Sequence, residues 1–338
     1  MPAPDPRPDR RLPTLCGVNS GSSPHAAVLL IGPTASGKTR VAHRLAEQLS
    51  LPLLSADSML VYRDMDIGTA KPSPEERIRF HYAGLDLTGP ENDFSTGSYL
   101  EAVQEQMSGT PSRNWLVCGG TGLYVSALVR GLNQPTGDPG VRQEAETRFA
   151  EGGTEALRVW LGQIDPDALR VLADPSNPRR LIRAIEQALA APVRPAPELR
   201  PAEPFPAVGL LVPPEQLARR IQERTRRMIR DGWIEEVRAL RNRPTPLSKT
   251  AAMAIGYREL SAVLDGLLPL DTALDRIRIR TRQYAKRQMT WFRNQIAATW
   301  IDAGDERTPE AIASQIEIHC ASQKPLPLTG LTDRGKSP

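Results

Sequence analysis

The chain has 338 residues, 40% of them hydrophobic and 24% charged, an ordinary globular composition with length enough for one large domain, or one domain carrying an insertion, around a substantial core. It contains no run of about 18 apolar residues, which excludes a membrane-spanning helix. Cys16, Cys118 and Cys320 lie far apart, which argues against a disulfide framework or a zinc site and makes a reducing cytoplasm the expected location; the net charge of +4 is mild, so a polyanionic partner would show only as a local concentration of base.

In chain order, residues 1–25 are rich in Pro and Arg without a continuous apolar centre, so they fail as a secretory signal and are expected to form a disordered tail. "AAVLLIG" (26–32) is a short apolar run ending in Gly, and in the following "KTRVAHRLAEQL" Val41, Leu45 and Leu49 recur at helical spacing, which predicts strand, loop and helix. "LPLLSAD" (51–57) and "NWLVCGG" (114–120) repeat the apolar strand with a polar or Gly end, and "TGLYVSALVRGL" continues the second as a helix stopping at Gly131. Such alternation predicts an α/β fold, a P-loop NTPase-like parallel sheet flanked by helices, with ligands at the carboxyl ends of its strands. Between 138 and 202 the strands disappear: "DPGVRQEAETRFAEGG", "DPDALRVLA" and "NPRRLIRAIEQALA" are helical in pattern and each opens on Asp-Pro or Asn-Pro. A helical insertion domain is expected there, splitting a core of 26–137 and 203–320. Residues 191–206 form a Pro-rich connector, "AVGLLVP" returns as a strand, "TWIDA" (299–303) is a candidate last strand, and 321–338 is expected to be a second disordered tail.

Gly32, Pro33, Thr34, Ala35, Ser36, Gly37, Lys38 and Thr39 fit G-x-x-x-x-G-K-[ST] between a strand and a helix, the context that a phosphate-binding loop requires. Backbone N–H groups converge on a phosphate at a helix N-terminus, Lys38 adds a point charge, and the Thr39 hydroxyl is a candidate ligand for Mg²⁺. Such a loop does not read what the phosphates are attached to. An ATPase also wants an apolar strand ending in Asp for its metal, whereas "LVCGGTG" ends in Gly119, Gly120, Thr121 and Gly122, suited to close approach of a ligand. Asp57, closing the second strand, is either a turn or capping aspartate or a functional carboxylate; Gly68 to Pro72, with Lys71, reads as another cationic loop beside it.

In this order, "GPTASGKT", "SADSMLVYRDMDIGTAKP", "VCGGTGLYVSAL", "NPRRLIRAIE", "MAIGYREL" and "TRQYAKRQMTWFRNQ" resemble the tRNA dimethylallyltransferase (tRNA isopentenyltransferase) family over roughly residues 26 to 305. The resemblance implies transfer of a dimethylallyl group from dimethylallyl diphosphate to N6 of adenosine 37, beside the anticodon. It also implies that Thr34, Ser36, Gly37, Lys38 and Thr39 contact the diphosphate, that Asp57 is the base, that Thr121 lies near the reacting adenine, and that Arg224 contacts the diphosphate, with Arg226 and Arg227 as neighbouring candidates. By the same resemblance Asp57, Ser58, Met59 and Leu60, Arg142, the stretch Arg179, Arg180, Leu181, Ile182 and Arg183, and Met253 to Arg258 including Gly256 and Tyr257 meet the tRNA anticodon stem-loop. Mg²⁺ is the implied cofactor, and a monomer is expected.

The stretch 271–294 carries Arg276, Arg278, Arg280, Arg282, Lys286, Arg287 and Arg293 with no acid after Asp275, which points to a phosphate-facing helix; Tyr284, Trp291 and Phe292 read as core anchors among Met289 and Ile296. Tyr82 stands where the family commonly has a second His, so His81 is given no catalytic role. The C-terminal zinc finger of eukaryotic members is missing, which implies a bacterial or organellar type. Two other activities use the same loop, phosphorylation of a small molecule by ATP and prenylation of a free adenine nucleotide; a non-enzymatic RNA-binding protein is the third alternative.

Overall fold

The computed structural model describes residues 26–110, 112, 114–131, 138–172, 174–190, 207–321, 323 and 326–331. The expected N-terminal tail, the 191–206 connector and much of the expected C-terminal tail lie outside them. Parallel strands β1 (Ala26–Ile31), β2 (Leu53–Ala56), β3 (Asn114–Gly119), β4 (Ala207–Leu211) and β5 (Thr299–Asp302) stand in the order β2-β3-β1-β4-β5. The helices are α1 (Lys38–Leu49), α2 (Pro74–Arg79), α3 (Thr96–Ser108), α4 (Gly122–Arg130), α5 (Pro139–Ile164), α6 (Pro166–Val171), α7 (Pro178–Leu189), α8 (Pro214–Arg230), α9 (Trp233–Arg241), α10 (Tyr257–Leu264), α11 (Leu270–Gln295) and α12 (Pro309–Ala321).

The strands form where apolar runs are buried on both faces, as a sheet covered by helices demands: Leu29, Leu30 and Ile31 of β1 are fully buried. One core layer packs Val41, Ala42 and Leu45 of α1 and Ile312, Ala313 and Ile316 of α12 against Val28, Leu30, Leu116 and Val208 of the sheet. On α3 and α4 Tyr99 and Tyr124 stack at 3.9 Å, and the Tyr99 hydroxyl donates to the Ser55 carbonyl at 2.7 Å.

Order continues into the stretch expected to be a disordered C-terminal tail. Leu326–Pro327 form β6, antiparallel to Ala26 and Ala27 of β1, and Leu328 and Leu331 are buried. Because β4 covers β1 only from Leu29 to Ile31, the first residues of β1 have a free edge, and pairing by β6 satisfies those backbone groups. A Pro-rich composition hides this from sequence reading.

The chain divides into two compact units, residues 1–131 with 201–338, and residues 132–200. The second differs from the expected insertion, 138–202, by a few residues at each end and contains α5, α6 and α7. Its helices open on side-chain caps followed by proline: Asp138 accepts from Gly140 N–H, Asp165 from Ala168 N–H, and Asn177 from Arg179 and Arg180 N–H, the pattern favoured at helix starts. Gly153, at φ 64, breaks α5 into two segments; the second, with Leu157, Trp160 and Leu161, packs against Leu181, Ala184 and Ile185 of α7.

Candidate active site

Three sequence-distant turns meet because the strand register is level. Ile31 pairs with Gly119, and Gly119 with Ala56, so the loop after β1, Asp57 after β2 and Gly120–Thr121 after β3 leave the sheet side by side. The loop, Asp57 and Gly120, with the turn at Thr69–Pro72, Arg220, Arg224, Arg227 and Arg230 of α8 and Gln288 of α11, line a cavity of about 690 Å³ whose wall carries seven Lys or Arg and three Asp or Glu residues.

Gly37 caps α1 at φ 89, a conformation that side chains with a Cβ resist, and from it the first N–H groups of the helix point into the cavity mouth. Ser36 is 2% exposed, and its Oγ has no hydrogen-bond partner among the described residues; a phosphate oxygen would satisfy that buried donor. Lys38 Nζ donates to the Pro33 carbonyl at 2.7 Å. Burial lowers its pKa from 10.5 to about 8, against the raising influence of the Asp57 charge. Cys118 lies beneath it, its thiol pushed up to about 11 by burial and therefore neutral.

Asp57 is a turn former and a cavity wall at once. Its Oδ1 accepts the Met59 N–H at 3.0 Å, while Oδ2 lies on the Gly120 side. Thr121 braces this turn: its Oγ1 accepts the Ser58 N–H at 2.9 Å, and its own N–H donates to the Ala56 carbonyl at 3.1 Å. Gln288, 6% exposed, ties the two sides of the cavity together, accepting the Thr34 N–H and donating to the Gly120 carbonyl, both at 2.8 Å. The fit needs glycine at 120, where an added Cβ would stand 2.4 Å from Gln288 Nε2.

On α8, Arg220, Arg224 and Arg227 follow one face at i, i+4 and i+7 and all reach the cavity. Arg224 bonds Thr34 Oγ1 at 3.4 Å and the Thr69 carbonyl at 3.2 Å; burial lowers its pKa, nearby Asp57 opposes the change, and it stays a cation at neutral pH. Arg220 is pinned by Asp305, by the Ala303 carbonyl at 2.9 Å and by the Ser36 carbonyl at 3.2 Å. Arg226 is exposed and outside the cavity lining, so of the three candidate arginines 224 is the half-buried one that bonds the loop.

The family model described as IPP transferase matches residues 60–295, and that described as isopentenyl transferase matches 25–81. The chain belongs to the IPP transferase family. Similar relatives are the tRNA dimethylallyltransferases of Methylococcus capsulatus, 40% identical over 86% of this chain and 96% of that protein, and of Geobacter metallireducens, 41% identical over 81% and 92%. Among solved structures, the tRNA isopentenylpyrophosphate transferase of Bacillus halodurans is 34% identical, covering 87% of this chain and 95% of that chain with TM-score 0.63. A eukaryotic dimethylallyltransferase acting on tRNA, at 22% identity and TM-score 0.71, shares the fold.

Thr34, Ala35, Ser36, Gly37, Lys38, Thr39, Asp57 and Arg224 come together in the lining of the cavity within the larger unit, with Gly32 at the end of β1 and Thr121 bracing the Asp57 turn outside the lining. Several other expectations are corrected. Lys71 is not a cation for a ligand: its side chain is fully buried on Asp66 at 2.8 Å, Asp86 at 2.6 Å and the Tyr62 carbonyl. Tyr284 is more than a core anchor, since it lies near enough to Asp57 to feel its charge; burial, then the Asp57 charge, push its hydroxyl up to about 12. Two bases of α11 are already paired with acids, Arg278 with Asp275 one turn before it and Arg280 with Glu259 of α10, a partner that sequence spacing does not show.

Among residues expected at RNA, Leu181 is fully buried in the α5–α7 core, and Gly256 and Tyr257 are buried too, so their side chains shape the surface without offering it contacts; Met253, Arg180 and Arg258 are exposed. Arg142 and Arg183 both reach the buried Glu186, at 3.4 and 3.3 Å. Sequence reading missed Gln288 and Arg220. The signal for Gln288 was a polar residue in the apolar stripe Ala285, Gln288, Phe292.

Among the described residues no cluster of three or more His, Cys, Asp or Glu could hold a metal. Mg²⁺ needs no such cage; it keeps waters and binds through one or two protein groups and substrate phosphates. The exposed Thr39 in the first turn of α1 suits that role.

Proposed function

We propose that this protein transfers the dimethylallyl group of dimethylallyl diphosphate to the exocyclic N6 of adenosine 37 in tRNA. The observation that carries the reading is the single cavity in which a phosphate loop with Lys38 and Arg224 faces Asp57, with Gly119 and Gly120 where an ATPase would present its metal-binding Asp. The names of the similar proteins support it.

The donor's diphosphate lies on the loop N–H groups, Ser36 Oγ, Lys38 and Arg224. As the allylic C–O bond breaks, these groups meet the charge that builds on the departing diphosphate. The adenine nitrogen forms the new N–C bond and passes its proton to the Asp57 carboxylate, which offsets the low nucleophilicity of an amine delocalised into the ring. No covalent enzyme intermediate is required. Thr39 would help to hold a Mg²⁺ ion, which would further neutralise the diphosphate. Thr121 and Gln288 keep Asp57 and the loop in register across the gap.

To reach N6 the base leaves its stack, at a cost of a few kcal/mol that is least for an unpaired loop nucleotide. Contacts from Ser58 to Leu60, Met253, Arg258, Arg142, Arg179, Arg180, Ile182 and Arg183 with the anticodon stem-loop supply it, most of them to phosphates. Exposed Arg282, Lys286 and Arg287 of α11 add to this surface.

The deciding experiment incubates the purified protein with dimethylallyl diphosphate and unmodified tRNA, free AMP or ATP as acceptor, then digests and weighs the nucleosides. Prenylated adenosine in tRNA alone is expected. Product on free nucleotide only, or phosphorylation of a small acceptor with none on tRNA, overturns the reading. Asp57→Asn is expected to lower turnover about 10²- to 10⁴-fold while tRNA still binds; unchanged turnover removes Asp57 as the base.

A further inference from the structure

Glu236 of α9 has no part in the chemistry above, yet it is among the most heavily bonded carboxylates of the larger unit. Its Oε2 accepts the N–H groups of Asp66 and Ile67 at 2.7 and 2.6 Å, and its Oε1 accepts the Gly68 N–H at 3.0 Å and the Tyr257 hydroxyl at 2.7 Å. Three successive amides converging on one anion make a backbone nest, and bonds to a charged acceptor are of the stronger class. Here the anion comes from the protein itself, 170 residues along the chain from the first of those amides.

The nest leads to the cavity within one residue. Thr69 closes the turn by donating its hydroxyl to the Met65 carbonyl at 2.6 Å, and its own carbonyl accepts from Arg224 Nη2, the guanidinium whose Nη1 reaches Thr34 of the phosphate loop. Behind Glu236, Tyr257 is 2% exposed and packs edge-on against Trp233, with ring centroids 6.0 Å apart, so its hydroxyl has little freedom to leave. On the far side Lys71 is held by Asp66 and Asp86. The turn from 66 to 69 is therefore fixed at both ends, and Arg224 hangs from its last carbonyl.

We propose that Glu236 is a positioning residue for Arg224: locked by Tyr257, its carboxylate fixes the 66–69 turn so that the Thr69 carbonyl aims the guanidinium at the donor's diphosphate. This rests on reading the cavity as a diphosphate site. Without the carboxylate, three half-buried N–H groups lose their acceptor, the turn relaxes, and Arg224 loses the carbonyl that orients it.

The test measures inorganic diphosphate binding to the full-length protein by calorimetry, alone and in a double-mutant cycle with Arg224→Ala. Glu236→Ala is expected to weaken binding about tenfold, Tyr257→Phe about threefold and Glu236→Gln by an intermediate amount, whereas in the Arg224→Ala background each changes Kd less than about twofold. With donor varied at saturating tRNA, the same variants raise KM more than they lower kcat, a split that general loss of folded protein would not give. If Glu236→Ala does not fold, Tyr257→Phe, which deletes one oxygen, carries the cycle. Equal losses with and without Arg224, or a lowered melting temperature with unchanged Kd, overturn the inference alone; an Arg224→Ala protein that binds diphosphate like the parent overturns it together with the assignment of Arg224.

Discussion

Lys38 has a pKa of about 8 in the ligand-free protein because burial disfavours its charge. An anion on the loop favours the charged form, so the complex keeps a proton that the free protein releases as pH rises past about 8. Diphosphate affinity is therefore expected to be insensitive to Lys38 below that pH and to fall by up to about tenfold per unit above it. Calorimetry at pH 9 in buffers of different ionisation enthalpy should show proton uptake on binding; none would mean that Lys38 does not face the ligand. Lys38 was legible in the sequence because the whole motif is local, eight residues between a strand and a helix. Gln288 was not, because its partner Thr34 is 254 residues away and nothing in a helical repeat marks which buried position will meet a distant loop.

Single elements explain which of several like residues matters. The 3.6-residue period of α8 puts Arg224 on the face toward the loop and turns Arg226 about 200° away from it, in keeping with the exposure of Arg226. Arg224→Ala should weaken diphosphate binding about ten- to hundredfold, the worth of charged hydrogen bonds of roughly 1.5–3 kcal/mol, and Arg226→Ala should leave it unchanged; the reverse order of effects would show that the wrong arginine has been chosen. Helix starts were readable for a similar reason, since the caps and prolines of α5, α6 and α7 lie within a few residues of one another. The helical segment of α5 after Gly153 was not foreseen, and neither was β6, whose pairing is decided by the free edge of β1 and not by its own composition.

At the scale of the whole molecule, the proposed diphosphate site lies in the larger unit, and the smaller unit carries only part of the proposed tRNA surface, Arg142 and the 179–183 stretch. Leu161 is fully buried in the smaller one, and Leu161→Ala should destabilise it by about 2–5 kcal/mol. The expected readout is weakened tRNA binding with diphosphate affinity preserved; loss of both would mean that the units do not divide the work. Affinity for tRNA should fall steeply with salt, and Arg180→Ala should flatten the slope of log K against log salt by about one unit if that side chain meets a phosphate.

The sequence by itself determined the α/β class, the phosphate loop, the carboxylate at the end of the second strand and the helical character of 138–202, because each is written in neighbouring residues: an apolar run with its terminal glycine, or a cap with its proline. Tertiary structure alone decided which charges are available to a ligand. It buried Lys71 on two aspartates, gave Arg280 an acid from another helix, drew Tyr284 and Gln288 into the site and set Arg224 at the loop. Charge and polarity are properties of a residue, but whether they are spent within the protein depends on partners that only folding brings within hydrogen-bond distance.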